Sequence, residues 1–234
     1  MSASLLERNS TWKKLKTTKQ KSKQGTRMKE LDSLETDALK EIGSIGMGNA
    51  TTALSELVGR SVRLNLSDAR MFNPQSIASS IPDSITMTGI IVNIGGELKG
   101  AAVLLLEFNN SVLLSDLMLE SNNITGDPTI NESALSELGN IFTGSYMNAM
   151  SSFLGLGIYQ SPPLVTIGPI KKIFETAFSR IGTKPAGVMN IETMFMVHNA
   201  GDGTGLNTVY GDMFLLLEPT STEKLRDSIR KLLA

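Results

Sequence analysis

Ser133, Glu137 and Asn140 are the first side chains of this sequence that could do chemistry together. At 100° per residue they share one helical stripe with Gly144 and Ser151, all within about 40° of a line. A carboxylate and a carboxamide one turn apart offer a charge and a paired donor and acceptor to anything approaching that stripe. The same stripe occurs 96 residues earlier as Asp37, Glu41, Ser44, Gly48 and Ser55. Where the copies differ in the middle of the pattern, Ser44 has a hydroxyl and Asn140 an amide. Chemistry is therefore sought where they differ.

The stripe is unusual for a solvated helix face, which ordinarily carries Lys, Glu, Gln and Arg. Here a single acid stands at the centre of each copy, with short polar residues beside it and a glycine. A glycine inside a helix costs about 1 kcal/mol against alanine. Close approach over Gly48 or Gly144 would offset that cost, either by another molecule or by a loop of the same chain. Opposite the stripe, Leu135, Leu138, Phe142, Ala149 and Phe153 form the expected core face of one helix. Leu39, Ile42, Gly46, Ala53 and Leu57 form that of the other.

The helices belong to a longer echo. Residues 37–45 return at 133–141, and the run at 100–107 returns at 211–218. Each copy reads as a long helix, a strand, a short helix, a hairpin and a closing helix. Ser33 and Thr129 are the candidate N-caps, with Thr129 and Glu132 at capping-box spacing. Gly59 and Gly155 are the stops. Val62, Leu64 and Leu66 alternate as in a strand, and Val165 and Ile167 do so in part. Gly95-Gly96 reads as a hairpin turn between strands at 85–94 and 99–108. Strands at 187–197 and 208–217 flank a longer loop, 199–205. Middle helices fall at 75–80 and 171–181, closing helices at 111–120 and 222–233. Three strands are too few to bury one copy alone. The expected fold is therefore α/β (α+β): an internally duplicated pseudo-twofold fold, one mainly antiparallel sheet carrying two long helices with the motifs. The repeats span about 31–120 and 127–234, within one unit over 30–234.

Composition fits a globular chain, with 41% hydrophobic and 19% charged residues and no cysteine among 234. The longest apolar run, 101–106, suits a buried strand and falls far short of the roughly 20 residues of a membrane span. Absence of cysteine excludes disulfides and thiolate metal sites. A cytoplasmic protein without membrane insertion is expected. Residues 1–29 carry nine Lys/Arg and one acid, whereas the rest carries 13 and 22. The basic tail is expected to be disordered, or to precede a start at Met28. The acidic body argues against nucleic-acid binding.

The spacing of Ser133, Glu137, Asn140 and Pro163 resembles the signature of the CheC family of chemotaxis phosphatases: Asp/Ser, three residues, Glu, two residues, Asn, twenty-two residues, Pro. The run from Glu41 to Ala50 resembles the family's first helix, so the likeness covers residue 28 onward. The first copy keeps Asp37 and Glu41 but has Ser44 for the amide and Ser67 for the proline. The resemblance implies hydrolysis of the aspartyl phosphate of a CheY-type response regulator, with one competent site, in the second copy. Asn140 would orient the water, Glu137 would contact the regulator's lysine, and Ser133 would tune the surface. Pro163 would fix the chain beneath, and Gly144 would admit the partner's backbone. It implies no cofactor of the chain's own, no metal ligands, Mg²⁺ held by the regulator, and the deamidase CheD as a second partner. The alternative is a CheC-like adaptor that binds CheD or CheY without significant turnover; a flagellar-switch relative is a third reading. A monomer is expected.

Other signals carry less. His198 has no serine or aspartate partner pattern, so no triad is read. The 201–205 glycine-rich stretch lacks a following helix and reads as a hairpin tip. Met147, Met150, Met194 and Met196 read as fillers of core gaps or an interface.

Overall fold

Asp32 opens the first long helix. Its carboxylate accepts from the Glu35 amide at 2.8 Å, and the Glu35 carboxylate accepts from the Asp32 amide at 3.1 Å. This reciprocal capping box makes Asp32 the N-cap and Ser33 the first residue of α1 (Ser33–Val58). The expectation of a Ser33 cap fails by one residue because a carboxylate with a glutamate three positions on satisfies two backbone amides together. The computed structural model describes residues 32–72, 83–121, 128–183, 185, 187–198 and 206–233. The basic tail, the 75–80 segment, the 199–205 loop and the 122–127 connection lie outside the described residues.

β1 (Val62–Phe72), β2 (Met87–Gly96), β3 (Gly100–Glu107) and α2 (Phe108–Ser121) follow α1. Next come α3 (Pro128–Leu154), β4 (Ile158–Gln160), β5 (Leu164–Gly168), α4 (Ile170–Ile181), β6 (Gly187–His198), β7 (Leu206–Leu217) and α5 (Pro219–Leu233). Both long helices stop at glycines with left-handed backbone, Gly59 at φ 64° and Gly155 at φ 63°. α3 begins at Pro128, so Thr129 lies in its first turn. The closing helices begin earlier than periodicity placed them, at Phe108 and Pro219. Proline at the first helical position gives up no hydrogen bond.

All strand pairs are antiparallel, in the order β1-β6-β7-β3-β2-β4, with β5 also on β2. The order is reciprocal. β1 lies on the β6–β7 hairpin, β4 and β5 lie on the β2–β3 hairpin, and β3 pairs with β7 between them. Ala102, Leu104 and Leu106 of β3, with Met213, Leu215 and Leu217 of β7, share one core with α1, α2, α3 and α5. Ala101, Val103, Leu105, Phe214 and Leu216 share a second core with α4. Burial on both faces explains the unbroken apolar runs, where a half-exposed sheet would alternate.

Gly95-Gly96 does not form the hairpin turn. Both glycines end β2 and pair with Tyr159 and Ile158 of β4. The turn is Glu97-Leu98-Lys99. At Gly96, with φ 96°, a side chain would collide with the Gly157 carbonyl, so the glycine pair admits an edge strand.

The wheel reading holds for most of the core face. Leu39, Ile42, Gly46, Leu135, Leu138, Phe142 and Ala149 are buried, while Ala53 and Leu57 are half-buried. Phe153 is 41% exposed. It falls about two turns past the crossing of α1 and α3, which is centred on Gly46. A Cβ at Gly46 would stand 3.0 Å from Tyr146 Cα, so a bare position brings the helices together. Met147 and Met150 are buried in the first core, as filler methionines should be.

Candidate functional site

The stripe residues come to the surface of two helices packed against each other. Ser133 and Glu137 are exposed on α3, and Asn140 and Gly144 are half-buried. On α1, Asp37, Glu41, Ser44 and Gly48 are all exposed. Ser55 and Ser151 belong to the helix ends. The Ser55 hydroxyl accepts from the Val62 amide at 3.0 Å, and the Ser151 hydroxyl donates to the Leu156 carbonyl at 2.6 Å. Each serine folds the chain back from its helix toward the next strand.

The ground beneath Asn140 differs from that beneath Ser44. Gly139 meets the sheet so closely that a Cβ there would strike Ile90 and stand 3.6 Å from Pro163 Cβ. Pro163 lies in the gap between β4 and β5, three residues without strand pairing at the sheet edge. Proline lacks the amide a ladder needs, so it suits an edge interruption. Ser161 holds this gap to β2: its amide donates to the Asn93 carbonyl at 2.9 Å, and its hydroxyl accepts from the Asn93 amide at 3.0 Å. In the first half the equivalent position, Ser67, lies in an unbroken strand. There the register of β1 against β6 slips between Leu66 and Asp68.

Gly144 has a close neighbour from its own chain. The Gln160 side chain occupies the space a Cβ at Gly144 would enter, with Nε2 at 3.3 Å from that point. The same Nε2 donates to the main-chain carbonyl of Asn140 at 3.4 Å. Gly144 thus seats a strand of its own chain, the second of the two possibilities the sequence left open. Around Gly48, among the described residues, nothing lies within 4 Å of such a Cβ. Sequence reasoning missed Gln160 because β4 is three residues long and carries no period.

Among the described residues no group of three or more His, Asp or Glu is placed to hold a metal ion. No helix there is long and apolar enough to cross a membrane. His198 ends β6, paired through its backbone with Leu206. What the α3 surface offers is an exposed carboxylate and a half-buried carboxamide one turn on, on a helix held from below.

Residues 34–65 and 130–167, covering α1 into β1 and α3 through most of β5, match the CheC-like family. The chain is CheC-like. Among its relatives, the CheC-like chain is 30% identical to "Flagellar motor switch phosphatase FliY" of Bacillus subtilis (strain 168) over 141 residues, 59% of this chain but 37% of that protein. It is 22% identical to "CheY-P phosphatase CheC" of the same organism over 194 residues, 81% of this chain and 90% of that one. The crystal structure of Thermotoga maritima FliY superposes with a TM-score of 0.66 at 26% identity, covering 86% of the CheC-like chain and 98% of that structure. The two segments matched by the family contain both stripes and Pro163.

Proposed function

We propose that this CheC-like chain is a phosphatase that hydrolyses the aspartyl phosphate of a CheY-type response regulator at a single competent site on α3. The observation that carries this reading is the accessible Glu137–Asn140 pair, braced from below by Pro163 at Gly139. The names of two relatives, a CheY-P phosphatase and a motor-switch phosphatase, support the reaction class.

The chemistry asks little of the chain. Water attacks phosphorus in line, the phosphorus–oxygen bond to the aspartate breaks, and inorganic phosphate leaves while the carboxylate is restored. Positioning and charge neutralisation dominate such a step. The regulator's own Mg²⁺ and lysine would neutralise the phosphoryl charge. Asn140 would accept a hydrogen bond from the attacking water through its amide oxygen and donate to a phosphoryl oxygen through its nitrogen. Glu137 would hold the regulator's lysine by a charge-assisted contact. Ser133, at the head of the stripe, would meet the docked surface.

The test is turnover of phosphorylated regulator with Mg²⁺. Asn140→Ala should remove acceleration by about 10²-fold, in line with loss of a positioned donor. Ser44→Ala should leave it unchanged. Damage from Ser44→Ala with none from Asn140→Ala would overturn the assignment. An adaptor that binds CheD or the regulator without significant turnover is the second reading. The first stripe favours it, because Asp37 and Glu41 are exposed there while the amide is missing. Binding of either partner with no turnover by the wild-type chain would select it.

A further inference from the structure

We infer that Gln160 is a positioning residue for Asn140, and that its absence from the first half disables that half beyond the loss of an amide at position 44. The inference rests on the phosphatase reading and adds to it a residue outside the signature of Ser133, Glu137, Asn140 and Pro163.

Three observations carry it. Gln160 Nε2 donates to the Asn140 carbonyl, fixing the helical turn that presents the Asn140 side chain. The amide lies over bare Gly144, where a Cβ would crowd it at 3.3 Å from Nε2. Among the described residues the buried Gln160 Oε1 has no hydrogen-bond partner. An unmet buried acceptor carries a desolvation cost. A leucine or methionine would fill the same space without that cost, so filling alone does not explain a glutamine.

The first half shows the site without the brace. The residue 96 positions before Gln160 is Leu64, partly buried against the first core, and the space over Gly48 is open. With Pro163 at Gly139 and Gln160 at the Asn140 carbonyl, the second helix is held at consecutive residues. The first half has neither residue: position 64 is leucine and position 67 is serine. A side chain that must hold a water in line gains from a fixed backbone, because small misplacements lower the rate steeply.

Gln160→Met decides the matter, because methionine keeps the volume and loses the donor. With phosphorylated regulator and Mg²⁺, kcat should fall about tenfold, the worth of one hydrogen bond in the transition state, while KM stays within about twofold. In an Asn140→Ala background the same change should lower kcat no further. The side-chain amide resonance of Asn140 should shift in Gln160→Met while signals from α4 stay in place. If Gln160→Met unfolds the chain, Gly144→Ala displaces the amide from the other side and should give the same kcat loss at unchanged KM. Wild-type kcat in Gln160→Met, with Asn140→Ala inactive, overturns the role of Gln160 and leaves the phosphatase reading standing. Full activity in Asn140→Ala overturns the phosphatase reading and this inference with it.

Discussion

Arg226 of α5 closes two hydrogen bonds on the carboxylate of Glu35 in α1: Nε to Oε1 at 3.2 Å and Nη2 to Oε2 at 2.7 Å. Arg230 adds a third contact at 2.9 Å from the solvent side. The Glu35 side chain is 1% exposed and that of Arg226 10%, so charge and counter-charge lie within the protein. The residue that caps α1 through Asp32 therefore also ties the first helix to the last, 191 positions away.

Removing one member strands the other. Glu35→Gln should destabilise the fold by about 3 kcal/mol, the lower end for breaking a buried pair. Replacing both, Glu35→Gln with Arg226→Met, should recover most of that loss. Urea unfolding followed by circular dichroism measures both. A loss below about 1 kcal/mol in the single variant would show that Arg226 finds water instead.

Tyr146 poses the opposite case. Its ring is fully buried where α1 and α3 cross, and among the described residues its hydroxyl has no hydrogen-bond partner. Burial pushes its ionisation well above the ordinary phenol range. A hydroxyl buried without a partner contributes a desolvation cost and no bond. Tyr146→Phe should leave stability unchanged or raise it by about 1 kcal/mol, and the wild-type ring should not ionise in a native alkaline titration. A clear loss of stability in Tyr146→Phe would reveal a partner for the hydroxyl.

The helices, their glycine stops and the four-residue-scale periodicity were legible because each is written in adjacent residues. Leu135, Leu138 and Phe142 repeat at helical spacing, and Gly59 and Gly155 stand where the pattern ends. The surface exposure of Asp37, Glu41, Ser133 and Glu137 followed from the same wheel. What escaped reading was set by contacts distant in sequence. Gly95-Gly96 looks like a turn until Tyr159 and Gly157 are seen to need the space. Gly144 gives no sign in the sequence that Gln160 lies across it. The Glu35–Arg226 pair joins residues that no period relates, although Asp32 and Glu35 at capping-box spacing already marked the true helix start.

Glu97, in the turn that replaced the glycine pair, accepts from Lys224 Nζ at 2.7 Å and from the Gly157 amide at 2.8 Å. The Lys224 contact, then the amide, hold its carboxyl below the ordinary value of 4.5. A depressed folded-state value means stability present above the unfolded value and lost as pH falls through the folded one. A carbon-detected titration should place the Glu97 carboxyl below 4.5, and Lys224→Ala should move it upward. No movement would assign the depression to the Gly157 amide alone. Both side chains are nearly half exposed, so the effect on stability should be slight and should weaken with salt.

Two helix glycines, one on a stripe and one beneath, separate a helix cost from a packing need. Gly48→Ala enters open space and should stabilise the chain by about 0.5–1 kcal/mol, the ordinary helix preference of alanine. Gly139→Ala strikes Ile90 and should destabilise it, by about 1–3 kcal/mol for overpacking a well-filled core. Thermal unfolding of both variants checks the signs, and loss of stability in Gly48→Ala would mean that the space above α1 is occupied.

Restoring the amide in the first half tests how much of a site lies beneath its surface residues. In an Asn140→Ala chain, Ser44→Asn supplies the same functional group on a helix with an exposed glutamate one turn before it. The first half still has Leu64 where the second has Gln160, and a strand irregularity at Ser67 where the second has Pro163. Among the described residues nothing stands within 4 Å of a Cβ at Gly48, so the new amide would sit beside open space where Asn140 has Gln160 across Gly144. Turnover should therefore stay within a few-fold of Asn140→Ala and far below the wild-type rate, since water must be held to a fraction of an ångström. Recovery to half the wild-type rate would show that an exposed carboxamide beside Glu41 suffices, and that the brace beneath α3 serves stability alone.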